Sequence, residues 1–203
     1  LQTTGRIYQL TVSGTVDAGG SCTAAGGIVG TNYGTITGCS FSGSVAGEEN
    51  VGSIAGLNGL TGTVKNCTSG GAVSGEKMTG GIAGCNLGLI EGATNGAYVN
   101  TSSADQALSL EDLNVDLTMD LSKLSSMGIA TTATDTGGIA GYSSGIIQSC
   151  ANTAVVGYPH VGYNVGGVAG RSCGYILDSG NTGTVYGRKD VGGILGQMEP
   201  YIE

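Results

Sequence analysis

The chain has no tryptophan, one phenylalanine, one histidine and two prolines among its 203 residues. Aromatics make up only 5%, too little bulk for an ordinary globular core. The single histidine, His160, leaves one imidazole to serve as a general base. Basic residues are scarce too: seven Lys and Arg stand against fifteen Asp and Glu, for a net charge of −8 and a pI near 4.4. That balance argues against nucleic acid or an anionic membrane as partner. No apolar run approaches the roughly 18 residues a membrane-spanning helix needs. None of the six cysteines pairs in a C-x-x-C arrangement, so zinc is not expected. The sequence starts at Leu1 without a methionine or a signal peptide, as an excised or processed segment would.

What the chain has is glycine, 41 residues of it, distributed in a repeat. A glycine pair precedes Ile28, Ile82, Ile139, Val168 and Ile194, with Gly52-Ser53 in the same place before Ile54. A second apolar position follows at Ile36, Val64, Ile90, Ile147 and Ile176. Three residues later stands a small residue (Cys39, Cys67, Ala93, Cys150, Ser179), and six beyond that a valine (Val45, Val73, Val99, Val156, Val185). Ile7, Leu10 and Val16 occupy the same slots near the N-terminus. Uninterrupted copies are 26 to 29 residues long, the range of repeat architectures whose units bury their apolar faces only by stacking.

Each glycine inside a helix costs about 1 kcal/mol against alanine, whereas β-branched residues flanked by Gly, Ser, Thr and Asn suit short strands and tight turns. The pattern therefore predicts an all-β single domain over 1–203: a parallel β-helix of about six coils, with three strands per coil. Cys39, Cys67 and Cys150 fall in one core column, where a free thiol acts as a small hydrophobe. Cys85 and Cys173 are expected in the turn after the first strand, and Cys22 in an N-terminal turn. Met198, Pro200 and Tyr201 are placed to close the end of the solenoid.

Departures from the repeat share one slot. The valine-to-pair spacing is 9 at Val45–Ile54, Val73–Ile82 and Val185–Ile194, but 12 at Val16–Ile28 and Val156–Val168, and 40 at Val99–Ile139. The enlargements must then project from one edge, the usual binding side of a repeat array. The largest, an insertion over 101–135, carries the acids Asp105, Glu111, Asp112, Asp116 and Asp120, with Asp135 at its end, and the single base Lys123. A helical turn over 109–114 followed by extended chain is expected there. Candidate ligand-binding residues are Asp112, Asp116 and Asp120 in this insertion, with Tyr158, His160 and Tyr163 in the neighbouring enlarged turn. Two tyrosines and the histidine could stack on a sugar or grip a protein; a Pro-stiffened cover for the insertion is the plainer reading.

Several chemical motifs dissolve in the repeat register. Gly141–Gly145 and Gly170–Gly174 match G-x-S-x-G, the nucleophile elbow of hydrolases. The same slot reads Gly-Thr-Asn-Tyr-Gly at 30–34 and Gly-Cys-Asn-Leu-Gly at 84–88, so it is taken as a turn whose Asn and Ser accept unusual backbone angles. Asn95, Asn152 and Asn181 share a slot and suit a stacked amide ladder, with a sugar-binding row as the alternative. Glu48, Glu49, Glu76, Lys77, Arg188, Lys189 and Asp190 crowd one turn with mixed signs, a pattern of solvated, weakly paired charges. No pair of acids meets the requirement of a glycosidase site, and the acids of the insertion lack calcium-loop spacing. No catalytic residue, metal or cofactor is expected. An ice- or mineral-binding threonine row fails, because Thr35 and Thr63 are followed in their slot by Leu89, Ile146 and Tyr175.

In register, GGIVGTNYGTI, GSIAGLNGLTGTV, GGIAGCNLGLI, GGIAGYSSGII and GGVAGRSCGYI resemble the GLUG motif across nearly the whole chain outside the insertion. That repeat occurs in large secreted and surface-anchored bacterial proteins, including some streptococcal immunoglobulin A proteases and adhesin-like proteins. The resemblance implies an extracellular or cell-surface bacterial location and brings no catalytic residues with it. Protease members would carry a zinc-binding HExxH elsewhere, and none stands in this sequence. The expected function is a non-enzymatic stalk or adhesion module. Its partners would be a host or bacterial surface protein or glycan, with further domains of the same chain. The alternative is a polysaccharide-acting lyase or glycosidase on a β-helix, which needs clustered acids and bases on one face.

Overall fold

The computed structural model describes residues 2–19, 22–102 and 133–200. These form a parallel β-solenoid in which every strand pairs with its counterpart one coil away. Four sheets of six strands run along it. In the third coil the strands are Lys77–Gly80 in sheet 1, Ala83–Asn86 in sheet 2, Leu89–Glu91 in sheet 3 and Thr94–Val99 in sheet 4. The chain enters in sheet 3 with Arg6–Tyr8 and leaves in sheet 2 with Leu195–Met198.

A coil thus has four short strands where three were expected, and the glycine pair is the cause. The pair is the corner between sheets 1 and 2, where a single strand would have run through it. A Cβ on Gly80 would overlap the carbonyl of Ala83, and one on Gly81 would overlap the carbonyl of Gly138 in the next coil. Only hydrogen fits there, so the segment breaks into two strands. The corner between sheets 3 and 4 uses left-handed backbone, with φ of 50° at Asn66, 63° at Gly92 and 54° at Ser149, a region tolerated chiefly by Gly and short polar residues.

The three apolar columns lie where the spacing put them. Ile54, Ile82, Ile139 and Val168 are linked in turn by backbone hydrogen bonds and are buried. Ile36, Val64, Ile90 and Ile147 pair in sheet 3, and Val45, Val73, Val99 and Val156 stack at the end of sheet 4. The end coils are wetter, with Ile194 40% exposed. Met198 does not close the end. It finishes its strand beside Ser172 and is exposed.

Two polar columns run through the same lumen. Asn32 Nδ2 donates to Asn58 Oδ1 at 2.8 Å, Asn58 to Asn86 at 2.8 Å, and Asn86 to Ser143 Oγ at 3.0 Å. These are the Asn and Ser of the G-x-[N/S]-x-G slot. They end sheet-2 strands, fully buried, and do not have left-handed angles. Their selection is by hydrogen bonding in a dry interior rather than by backbone freedom. The second column is Asn95, Asn152 and Asn181, linked by bonds of 2.7 Å and started by Ser69. Asn95 and Asn152 are buried, so this row is the structural ladder and presents nothing to a sugar.

All six cysteines are free. Cys39 and Cys67 are buried in adjacent coils, their thiols directed at the carbonyls of Thr37 and Lys65. Cys85 differs from expectation: it sits within the strand Ala83–Asn86, facing outward yet covered.

Candidate functional site

The corner between sheets 4 and 1 is where the chain leaves its repeat. Val99 and Val156 bridge at the end of sheet 4, and Thr134 pairs with Tyr163 at the start of sheet 1. The long insertion and the 157–162 loop therefore leave and re-enter the solenoid in consecutive coils. The strand Thr134–Gly137 includes Thr134 and Asp135, so these two belong to the solenoid and not to the insertion. Asp112, Asp116 and Asp120, with the expected helical turn at 109–114, lie outside the described residues.

The structure brings Tyr158, His160 and Tyr163 together on this corner. Val161 N–H donates to the Tyr158 carbonyl at 3.2 Å, closing a tight turn over Pro159 and His160. His160 is the exposed tip with φ of 62°. Tyr158 is 39% exposed, while Tyr163 is half-buried at the first position of its strand. The next coil adds residues that sequence reading had dispersed among solvated turn charges. Arg188 and Lys189 both donate backbone N–H to the Gly162 carbonyl. The Arg188 guanidinium lies 5.9 Å from the Tyr163 ring centroid. Lys189 pairs with Tyr163 in sheet 1. Tyr186, 42% exposed, donates its N–H to Val156, and its carbonyl covers Gly157.

The charged turn is mixed in sign, as its sequence indicates: Lys77 pairs with Glu49 in sheet 1, and Asp190 follows Lys189. Glu48 and Glu49 belong to the second coil, Glu76 and Lys77 to the third, and Arg188, Lys189 and Asp190 to the last. Among the described residues no ion pair joins any of them; the ion pairs are Lys65–Glu91, Arg171–Asp135 and Arg171–Glu199. The expected weak ion pairs are not formed among the described residues, although opposite charges are neighbours, and the side chains remain exposed or half-buried at their turns.

A second polar cluster lies on sheets 1 and 2. Arg171 contacts Asp135 through Nη2 at 2.8 Å and Nε at 3.1 Å, and reaches Glu199 through Nη1 at 2.7 Å. Asn164 adds a bond of 2.7 Å to Asp135, whose side chain is only 6% exposed. The guanidinium sits 4.9 Å from the Tyr142 centroid, and the Tyr142 hydroxyl lies 3.3 Å from Cys173 Sγ. Burial opposes the charge on Arg171, but Glu199 and Asp135 outweigh it and raise its pKa. The contact with Cys173, helped by burial, pushes Tyr142 up to about 12. This cluster was invisible in the sequence, since its members come from three coils. Its charges are consumed by one another, so it works as a clip across the coils.

A cavity of about 570 Å³ lies at the last coil, lined by Tyr175, Leu177, Ile194, Leu195 and Met198 among others. None of the residues of the Tyr158 corner lines it. Among the described residues, no three His, Cys, Asp or Glu side chains are grouped to hold a metal.

Comparison with known proteins adds to this geometry. Residues 21–46 match the GLUG motif. No curated protein sequence matches the chain at a significant level. Its structure is similar to the crystal structure of a Bacteroides ovatus protein provisionally named an immunoglobulin A1 protease, at 23% identity and a TM-score of 0.50. The match covers 93% of this chain and 53% of the other, so the chain spans about half of that structure. At this identity the likeness is one of fold. The described part of the GLUG segment, 22–46, forms the first full turn here, from the bend at Thr23 to the end of the strand Ser40–Ala46.

Proposed function

We propose that the chain is a non-enzymatic repeat module of a secreted or surface-anchored bacterial protein, a rod that presents one edge to a protein or glycan. The observation that carries this reading is the corner itself. The enlarged turns share it, and it exposes Tyr158 and His160 while the lumen is filled by packing residues and amide ladders. The GLUG motif at 21–46 supports a repeat role, and adhesion is the function such an edge would serve.

The polysaccharide-acting alternative gains one observation, the grouping of Arg171, Asp135, Glu199 and Tyr142. It is disfavoured because the Arg171 donors are held by carboxylates and Asp135 is covered. A glycan array run beside a reducing-sugar assay separates the two: binding without turnover is expected, and release of reducing ends would transfer the reading to the enzyme. Replacing 103–132 by a short Gly-Ser closure should leave the β circular dichroism intact and remove binding. Binding that survives the deletion would take the insertion out of the site.

A further inference from the structure

We infer that the corner formed by Tyr158, His160, Tyr163, Tyr186, Arg188 and Lys189 binds a carboxylated sugar of the uronate or sialate class. The inference rests on the reading of this corner as the binding edge and assigns its ligand chemistry. Three observations carry it. First, in a chain of net charge −8, Arg188 and Lys189 put two exposed cations side by side, with Asp190 the next residue, and among the described residues neither is in an ion pair. Unpaired cations on an acidic protein make a local site for an anion, because nearby carboxylates usually neutralise such groups. Second, the cations are held beside aromatic rings. Backbone bonds from Arg188 and Lys189 to Gly162 fix the last coil to the base of the 157–162 loop, and Arg188 lies over Tyr163. Third, Tyr158 and Tyr186 leave about two-fifths of their surface in water, on either side of Gly157.

Exposed tyrosine faces accept the axial C–H surface of a pyranose and supply a hydroxyl at the rim. A guanidinium accepts a carboxylate bidentately. A ligand that needs both is a pyranose bearing a carboxylate. An acidic peptide would satisfy the cations but has no rigid apolar face for the rings. His160, exposed at the loop tip, offers the ligand a further hydrogen-bonding edge.

The test uses the purified chain and four probes: trigalacturonate and sialyllactose as carboxylated ligands, maltotriose and lactose as neutral ones. At least one carboxylated saccharide should bind about tenfold or more tightly than its neutral counterpart, with affinity falling as salt is raised; the arm that binds identifies the sugar class. The double variant Arg188→Gln/Lys189→Gln should lose about tenfold in affinity at an unchanged thermal midpoint, since both side chains are exposed. Tyr186→Ala should weaken binding in the same assay. Failure of both carboxylated probes, or equal binding by the double variant, overturns the assignment. So does equal binding of a triglutamate peptide. Neutral-sugar binding that is lost on deletion of 103–132 would overturn the acidic-sugar assignment while leaving the corner as the binding edge.

Discussion

Gly81 lies against Asn95 across the lumen, and a side chain at residue 81 would occupy the volume of the amide. The same relation joins Gly138 to Asn152 and Gly167 to Asn181. One coil earlier the pair reads Gly52-Ser53, and the ladder position there is the smaller Ser69. The second glycine of each pair and the amide column are therefore one packing unit, with volume exchanged between its two halves.

Gly81→Ala should cost about 1–3 kcal/mol, the range for overpacking a filled core. Asn95→Ala should cost about 2–4 kcal/mol, because it leaves Ser69, Asn152 and the Ala97 backbone without their partner. In the double variant the two losses should sum to less than their total, since the methyl enters space the amide vacates. The relief is partial, because the Gly138 carbonyl also crowds residue 81. Urea denaturation of the four proteins measures the coupling. Gly180→Ala, which meets nothing within 4 Å, is the neutral control.

Ile82 is fully buried in the central isoleucine column. Its truncation to alanine should cost about 2–5 kcal/mol, whereas Ile194→Ala, at a position 40% exposed in the last coil, should cost clearly less. Equal losses at the two positions would contradict the burial gradient.

Burial pushes the Cys67 thiol from its ordinary value of 9.0 to about 11. Below pH 9 the thiol is protonated both folded and unfolded, so it has no pH effect there. Above pH 9 the unfolded chain ionises first and is favoured, so stability should fall as the pH rises from about 9 to about 11. Cys67→Ala should flatten that part of the stability curve at some cost in absolute stability. In the native state at neutral pH, a bulky thiol reagent should label Cys39 and Cys67 only as fast as the chain unfolds.

Arg171→Leu leaves Asp135 covered with, among the described residues, Asn164 as its remaining side-chain partner. The expected loss is about 2–3 kcal/mol, below the value for a wholly buried pair because Arg171 is 29% exposed. Asp135→Asn should cost less, since Arg171 keeps Glu199. Thermal unfolding of the two variants gives the order, and the reverse order would show that the clip depends chiefly on Glu199.

The columns were legible because inward positions in a stacked strand must be apolar in every coil, so Ile82 and Ile139 announce themselves at matching slots. The number of strands was not legible. A glycine that opens a strand and a glycine that breaks one look alike until the carbonyl of Ala83 is seen against Gly80. Asn86 was misassigned for a related reason: an Asn between two glycines resembles a turn, and only its burial shows a ladder. The corner proposed as the binding edge was half legible. Tyr158, His160 and Tyr163 stood out as extra residues, but Arg188 fills an ordinary slot and acquires its meaning from Tyr163 one coil away. Arg171 and Asp135 are brought together by coil stacking across the long insertion, which no local pattern encodes.

Both amide ladders point the same way. Asn32 donates toward Asn58, Asn58 toward Asn86, Asn95 toward Asn152 and Asn152 toward Asn181, each time from one coil to its successor. Parallel strands nearly cancel their own dipoles, but these side-chain dipoles add. Each bond polarises the next, so a longer ladder is worth more per member than a short one. The rod consequently has an electrical head and tail, and each added coil bearing an asparagine at these positions extends that polarity.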